Sequence, residues 1–274
     1  MFSKTLSIVF CLSVIFSLSS CEPRADESTP EMTRNMLKLR GYEFNEKEFF
    51  RGIKLEDGQV VKAFLQAGSD PNAKNEKGDT ALVYAIREKD PKIAEILIEK
   101  ADINMQDDNG NSPLHTAVLQ GKDEIVEFLL EKNADVNVTG AYNKIKNQTP
   151  LYQAIIKGRF DLAEKFLKNK ADPNITDSEG SFPLAETVVR TDANPQFIKK
   201  LIENGADVNK QEENGSTALL YAASNKSLNP NTRQEIVKLL LENGADKTIK
   251  NKNGEDALFW AKKNGNEKVA EMLK

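Results

Sequence analysis

Two cysteines, one histidine and one tryptophan are all that this chain of 274 residues holds of those types. Both cysteines, Cys11 and Cys21, fall within the first 21 residues. A metal centre built from His and Cys therefore has almost no ligands to draw on. A Ser-His-Asp or Cys-His enzyme would have to use His115. A basic excess is also missing: 38 Lys and Arg stand against 42 Asp and Glu, for a net charge of -4. Nucleic-acid binders carry the opposite balance. Fifteen Gly and ten Pro are too few for a collagen or a wholly disordered chain. The phosphate-loop pattern G-x-x-x-x-G-K-[ST] is absent. What is left is a polar composition, 29% charged with a mean hydropathy of -0.52. It suits one large domain, two ordinary ones or a repeat array.

The N-terminus is the one strongly apolar stretch. Lys4 precedes the uncharged run Leu6 to Leu18. The run is shorter than the roughly 20 residues needed to span a bilayer, and it suits the core of an export signal. It ends in Leu18-Ser19-Ser20-Cys21, which resembles the lipobox of bacterial lipoproteins. The resemblance implies cleavage before Cys21 and lipid on that residue; the alternative is an ordinary secretory signal cut nearby. Either way the mature protein is expected outside the cytoplasm. Lipidation would hold it on the bacterial envelope. Glu22, where an Asp would mark inner-membrane retention, resembles outer-membrane sorting. The mature domain would then have no thiol, and its stability would rest on packing. Residues 21–43 are expected to be a tether, with a short helix over Met32 to Leu39.

Beyond residue 43 the chain repeats itself. Asp70, Asp102, Asp135, Asp172, Asp207 and Asp246 each open an Asp-x-Asn element or a degraded copy, at intervals of 32, 33, 37, 35 and 39 residues. Each copy is followed by a second element. It reads Thr80-Ala81-Leu82-Val83-Tyr84-Ala85, Ser112-Pro113-Leu114-His115-Thr116-Ala117 and Thr149-Pro150-Leu151-Tyr152-Gln153-Ala154. It returns as Thr217-Ala218-Leu219-Leu220-Tyr221-Ala222, with divergent copies at Phe182 and Asp256. A short amphipathic segment follows, such as Ile125 to Leu130. These motifs resemble the ankyrin repeat, whose signature is T-P-L-H-x-A in a period of about 33 residues. The resemblance covers residues 44–274 and implies an all-α solenoid of helix–turn–helix units with β-turn fingers.

The implied division is a signal at 1–20, a lipidated tether at 21–43 and the repeat domain at 44–274. Within the domain an opening unit covers about 44–74 and a closing unit 250–274. Between them lie repeats two to six, at about 75–107, 108–140, 141–176, 177–210 and 211–249. Thr80, Ser112, Thr149 and Thr217 are expected as N-caps, with Pro113 and Pro150 at the first helical position. Repeat four has about four extra residues before Thr149, so its finger is expected to be longer, with Tyr142 near the tip. Repeats five and six carry extra residues between their helices, around Asp192 and Asn229. These insertions are either binding loops or drift at a tolerant position.

Candidate chemistry is thin. His115 has Val83, Tyr152, Ala185, Leu220 and Phe259 as counterparts, so it is expected to serve structure. Asp107-Asp108-Asn109-Gly110-Asn111 fails the calcium-loop pattern because Met105 stands where a ligand is required. No catalytic residue, metal or cofactor is assigned. The functional expectation falls on the surface. Partner-binding candidates are Arg87, Asp108, Asn109, Asn111, Leu119, Tyr142, Ile156 and Val189. Leu119, Ile156 and Val189 share one helix position in three successive repeats, an apolar row that either binds a partner or packs neighbouring helices. The expectation is a monomeric, non-catalytic scaffold that binds a protein and no nucleic acid. By analogy with the family, the alternative is a protective partner that sequesters a toxic enzyme or effector.

Overall fold

The computed structural model describes residues 29–274. The export signal, Cys21 and the start of the tether lie outside these residues. Among the described residues, no helix is long and apolar enough to cross a membrane.

The fold is a stack of helix pairs. The opening helices are α1 (Pro30–Leu39), α2 (Glu46–Lys54) and α3 (Gly58–Gln66). Repeats two and three follow as α4 (Ala81–Arg87) with α5 (Pro91–Ile98), and α6 (Pro113–Gln120) with α7 (Asp123–Glu131). Strands β1 (Gly140–Tyr142) and β2 (Ile145–Gln148) precede α8 (Pro150–Ile156) and α9 (Phe160–Lys168). Then come α10 (Pro183–Val189) with α11 (Pro195–Glu203), and α12 (Ala218–Ser224) with α13 (Pro230–Glu242). The stack closes with α14 (Ala257–Lys263) and α15 (Glu267–Leu273).

The helix starts follow from the sequence. Thr80, Ser112, Thr149 and Thr217 are N-caps, each accepting from the backbone N–H three residues on. Asp256 does the same in the closing unit. Repeat five departs: Phe182 stands at the cap position, makes no capping bond and buries its ring in the core. Leu82, Leu114, Leu151, Leu184 and Leu219 are buried along the inner helices, and small Ala85, Ala117, Ala154 and Ala222 beside them are buried too.

The Asp-x-Asn element does two jobs. Each Asp accepts from the N–H two residues on and shapes its own turn, as Asp172 does for Asn174 at 2.8 Å. Each Asn reaches into the next repeat. The Oδ1 atoms of Asn72, Asn104, Asn137, Asn174 and Asn209 accept from the backbone N–H of Asp102, Asp135, Asp172, Asp207 and Asp246, at 2.7 to 2.9 Å. One asparagine ladder therefore runs along the stack.

The finger of repeat four is longer, as expected, and it is a true hairpin. Strands β1 and β2 are antiparallel, and Tyr142 pairs with Ile145. The two residues between them, Asn143 and Lys144, both have positive φ, as a type I′ turn requires. Asn147 takes the left-handed conformation that Gly78, Gly110 and Gly180 supply in other fingers. At Gly140 a Cβ would sit 2.7 Å from Asn111 Oδ1 and 2.8 Å from His115 Nε2, so only glycine lets the hairpin approach.

One expectation needs revision. The tether does not extend to residue 43. From Pro30 the chain is helical, and Thr33, Leu37 and Tyr42 are buried against the opening unit. Leu37 and Tyr42 cover the flank of α3, where the Tyr42 and Phe64 rings meet edge to face at 6.0 Å. The insertion of repeat six is anchored: the buried Arg233 donates to the carbonyls of Asn225 and Leu228 and to Asn266 Oδ1.

Asn174 holds two bonds across one repeat boundary, to the Asp207 N–H and the Gly205 carbonyl, both at 2.8 Å. Replacing Asn174 by Ala is expected to cost about 1–2 kcal/mol. Urea unfolding followed by circular dichroism measures the loss.

Candidate partner-binding surface

Inner helices α4, α6, α8, α10, α12 and α14 pack side by side. At their C-terminal ends Arg87 and Lys157 reach finger residues, so helix ends and fingers adjoin on one face. Leu119 and Ile156 are half-buried on it and Val189 is 41% exposed. Each sits at or next to the last residue of its helix, so the three occupy one level of neighbouring repeats. Tyr142 leans from the hairpin toward this row. Its hydroxyl accepts from Lys157 Nζ at 2.9 Å, and that nitrogen lies 4.7 Å from the ring centre. The lysine also holds the Tyr142 phenol below its usual range.

The polar candidates divide. Asp108 and Asn109 are exposed at the finger tip, and Asp108 pairs with Lys74 at 2.7 Å. Asn111 corrects the expectation: it is buried, and its Oδ1 accepts from the Ala141 N–H at 3.1 Å. It joins two fingers and presents nothing to a partner. Arg87 is exposed, but its guanidinium is engaged within the fold. It pairs with Asp79 and, at 3.1 Å, with Asp107. Both carboxylates are buried, and Asp107 also accepts from the N–H groups of Asn109 and Asn111. Asp107 is thus a finger organiser, like Asn75, Asp177 and Asn251 in other repeats. Among the described residues, no group of three or more His, Cys, Asp or Glu is placed to hold a metal ion.

His115 is fully buried. Its Nε2 lies 2.8 Å from the carbonyl of Gln148, which can only accept, so the proton sits on Nε2. Nδ1 then accepts from the Ser112 N–H and hydroxyl, at 3.3 and 2.8 Å. The ring ties the inner helix of repeat three to the finger of repeat four. Burial lowers its pKa to about 4, against weaker opposing effects of the Gln148 carbonyl and Asp107.

A polar cluster in repeats four to six escaped the motif reading. Tyr152, buried at the position equivalent to His115, places its hydroxyl 3.5 Å from Glu186. Burial raises the Glu186 carboxyl above its ordinary range, while Arg190 and the Tyr152 hydroxyl pull it back. Tyr221 donates to Glu212 and accepts from Asn214. Gln153 is buried with neither end of its amide hydrogen-bonded, and the Gln148 side-chain oxygen is likewise unpaired. Arg190 adds a cap: it donates to the Ile156 carbonyl at 2.7 Å and pairs with Asp192. Asp192 belongs to the extra residues of repeat five, so the contact ties that insertion to repeat four.

Residues 51–140 and 186–274 match the family model of ankyrin repeats in three copies, and residues 114–167 match that of ankyrin repeats in many copies. The crystal structure of EF0377, an ankyrin repeat protein, is similar to this fold. It is 30% identical, with a TM-score of 0.61, and the match covers 73% of this chain and 98% of that one. The chain belongs to the ankyrin-repeat family, whose members are protein-interaction scaffolds. No curated protein matches it.

His115 makes stability depend on pH. Its folded pKa lies below the unfolded value of 6.5, so its contribution is full above pH 6.5 and is lost as pH falls toward 4. The loss is about 3 kcal/mol. Thermal melts from pH 7 to pH 4 should show this slope, and His115→Gln should flatten it.

Proposed function

We propose that this protein is a non-catalytic scaffold, monomeric and held on the bacterial envelope by lipid on Cys21, which binds a protein partner through its fingers and inner-helix ends. The supporting observation is the apolar row of Leu119, Ile156 and Val189, left accessible beside Tyr142 and bordered by polar finger tips. An apolar centre within a polar rim is the usual layout of a protein-binding hot spot. Interior demands do not account for the row, since the core of each repeat is filled by Leu114, Leu151 and Leu184 five residues earlier. The lipid anchor rests on the Leu18-Ser19-Ser20-Cys21 motif after an apolar run of signal length. An anchored, stable surface of this kind also suits capture of a harmful enzyme in the periplasm.

Replacing Leu119, Ile156 and Val189 together by Glu should reduce co-purification of the envelope partner at least about tenfold, as loss of a hot spot implies. The helical circular dichroism should stay unchanged; undiminished capture would sink the surface. Cys21→Ser should abolish acylation, read by intact mass, and move the protein from the membrane to the soluble fraction.

A further inference from the structure

Seven large apolar side chains stand exposed among the described residues: Met32, Met36, Leu39, Phe44, Leu55, Val189 and Phe259. Four of them lie between residues 32 and 44. At about 100° per residue, Met32, Met36 and Leu39 fall within roughly 60° of one another on α1. They are 52%, 44% and 89% exposed. The buried pair, Thr33 and Leu37, occupies a neighbouring face, and Arg34 and Lys38 occupy a third. α1 is therefore apolar on two faces, and α3 covers only one of them.

The helix is not free to turn the open stripe inward. Arg34 donates through Nε and Nη2 to the carbonyl of Ala67 at 3.2 and 3.1 Å, which clamps α1 across the end of α3. The same guanidinium lies 4.3 Å over the Phe44 ring, and Phe44 stacks on Phe64. The orientation of the stripe is thus built into the opening unit.

We infer that the stripe of Met32, Met36 and Leu39 rests in the surface of an anionic phospholipid bilayer and sets how the repeat stack stands on the membrane. This rests on the acylation of Cys21 proposed above. Eight residues lie between Cys21 and Pro30, and the nine chain steps they make reach at most about 32 Å. An acylated chain would hold α1 within about one bilayer thickness of the lipid. Lys38 and Arg40, both exposed, outweigh the exposed Glu31 on the same helix, which leaves a net positive charge near the stripe for anionic headgroups to attract. An apolar stripe with basic neighbours is what lets a helix lie in the headgroup boundary.

The test uses the full-length protein, processed and acylated in bacteria and reconstituted in vesicles of phosphatidylethanolamine and phosphatidylglycerol with brominated acyl chains. Met36→Trp is placed in a Trp260→Phe background, so that the introduced indole on α1 is the sole tryptophan. The unmodified protein, with Trp260 in the closing unit, is the distant control. Emission from the introduced indole is expected to fall about twofold, as suits a ring 5–10 Å into the boundary, and that of Trp260 to stay constant. Adding Met32→Glu and Leu39→Glu should remove the quenching while acylation persists. An unquenched indole on α1 in acylated, membrane-bound protein overturns the inference and leaves the anchor standing. Shielding of that indole that depends on protein concentration would mean that a second copy covers the stripe. Shielding seen only while residues 1–20 are retained would mean that the apolar run covers it; either result overturns the inference. Absence of the acyl mass removes the anchor itself, and the stripe's assignment with it.

Discussion

The structure depends on coupling between neighbours. No helix pair here can bury its own core, because each pair is two short helices with one apolar side apiece. Among the contacts between neighbouring pairs, two recur along the stack: the packed inner helices, and the asparagine whose Oδ1 accepts from the following repeat's backbone. The second is directional. It requires the N–H of the next Asp at a set distance, so it fixes the spacing between turns whatever happens between helices. That explains how intervals of 32 to 39 residues coexist in one regular stack. The extra residues are taken up in the hairpin of repeat four, the inter-helix loop of repeat five, and the loop and longer outer helix α13 of repeat six, away from the ladder.

Most of the fold was legible because most of it is local. Caps at Thr80, Ser112, Thr149 and Thr217 act within four residues, and Pro at the first helical position acts within one turn. Periodicity carried the rest. What the motifs did not disclose acts over longer separations. Arg87 reaches across repeats to Asp107, Arg190 to the Ile156 carbonyl and Arg233 to Asn266. Long flexible cations satisfy buried acceptors in an adjoining unit, and no spacing rule announces them. Asn111 looked like a finger-tip residue by register, but the close approach at Gly140 buries it. α1 was visible as a helix, yet its docking on α3 depends on Tyr42 and Arg34, which belong to no repeat motif.

Several departures from the local rules fall in repeats four and five. Repeat four has the hairpin and the unpaired amide of Gln153; repeat five has the uncapped start at Phe182 and the half-buried Glu186. Ile156 and Val189 belong to the same two repeats. Similar costs occur elsewhere, at the unpaired Asn264 and Asn266 amide atoms of the closing unit and at the starts of α7 and α15, which have no side-chain cap, but in repeats four and five they accompany two residues of the apolar row. The same region lies centrally in the stack, flanked on both sides by repeats that hold it in place. A binding face is best built there, since end repeats fray first.

The two ends of the stack differ in a way that bears on the anchor. At the closing end, α15 turns charged residues outward, with Glu267, Lys268 and Glu271 exposed, and Phe259 of α14 is the one large apolar side chain exposed there among the described residues. At the opening end, α1 adds a helix beyond the pair and leaves a second apolar face uncovered. A cap needs only to shield the core and present polar groups to water. α1 shields the flank of α3 through Thr33, Leu37 and Tyr42, so Met32, Met36 and Leu39 exceed what capping requires. The excess lies in the helix nearest Cys21 in sequence among the described residues. A surface that combines shielding of the first repeat with contact to lipid would couple the orientation of the whole array to one clamp, the Arg34 guanidinium on the Ala67 carbonyl.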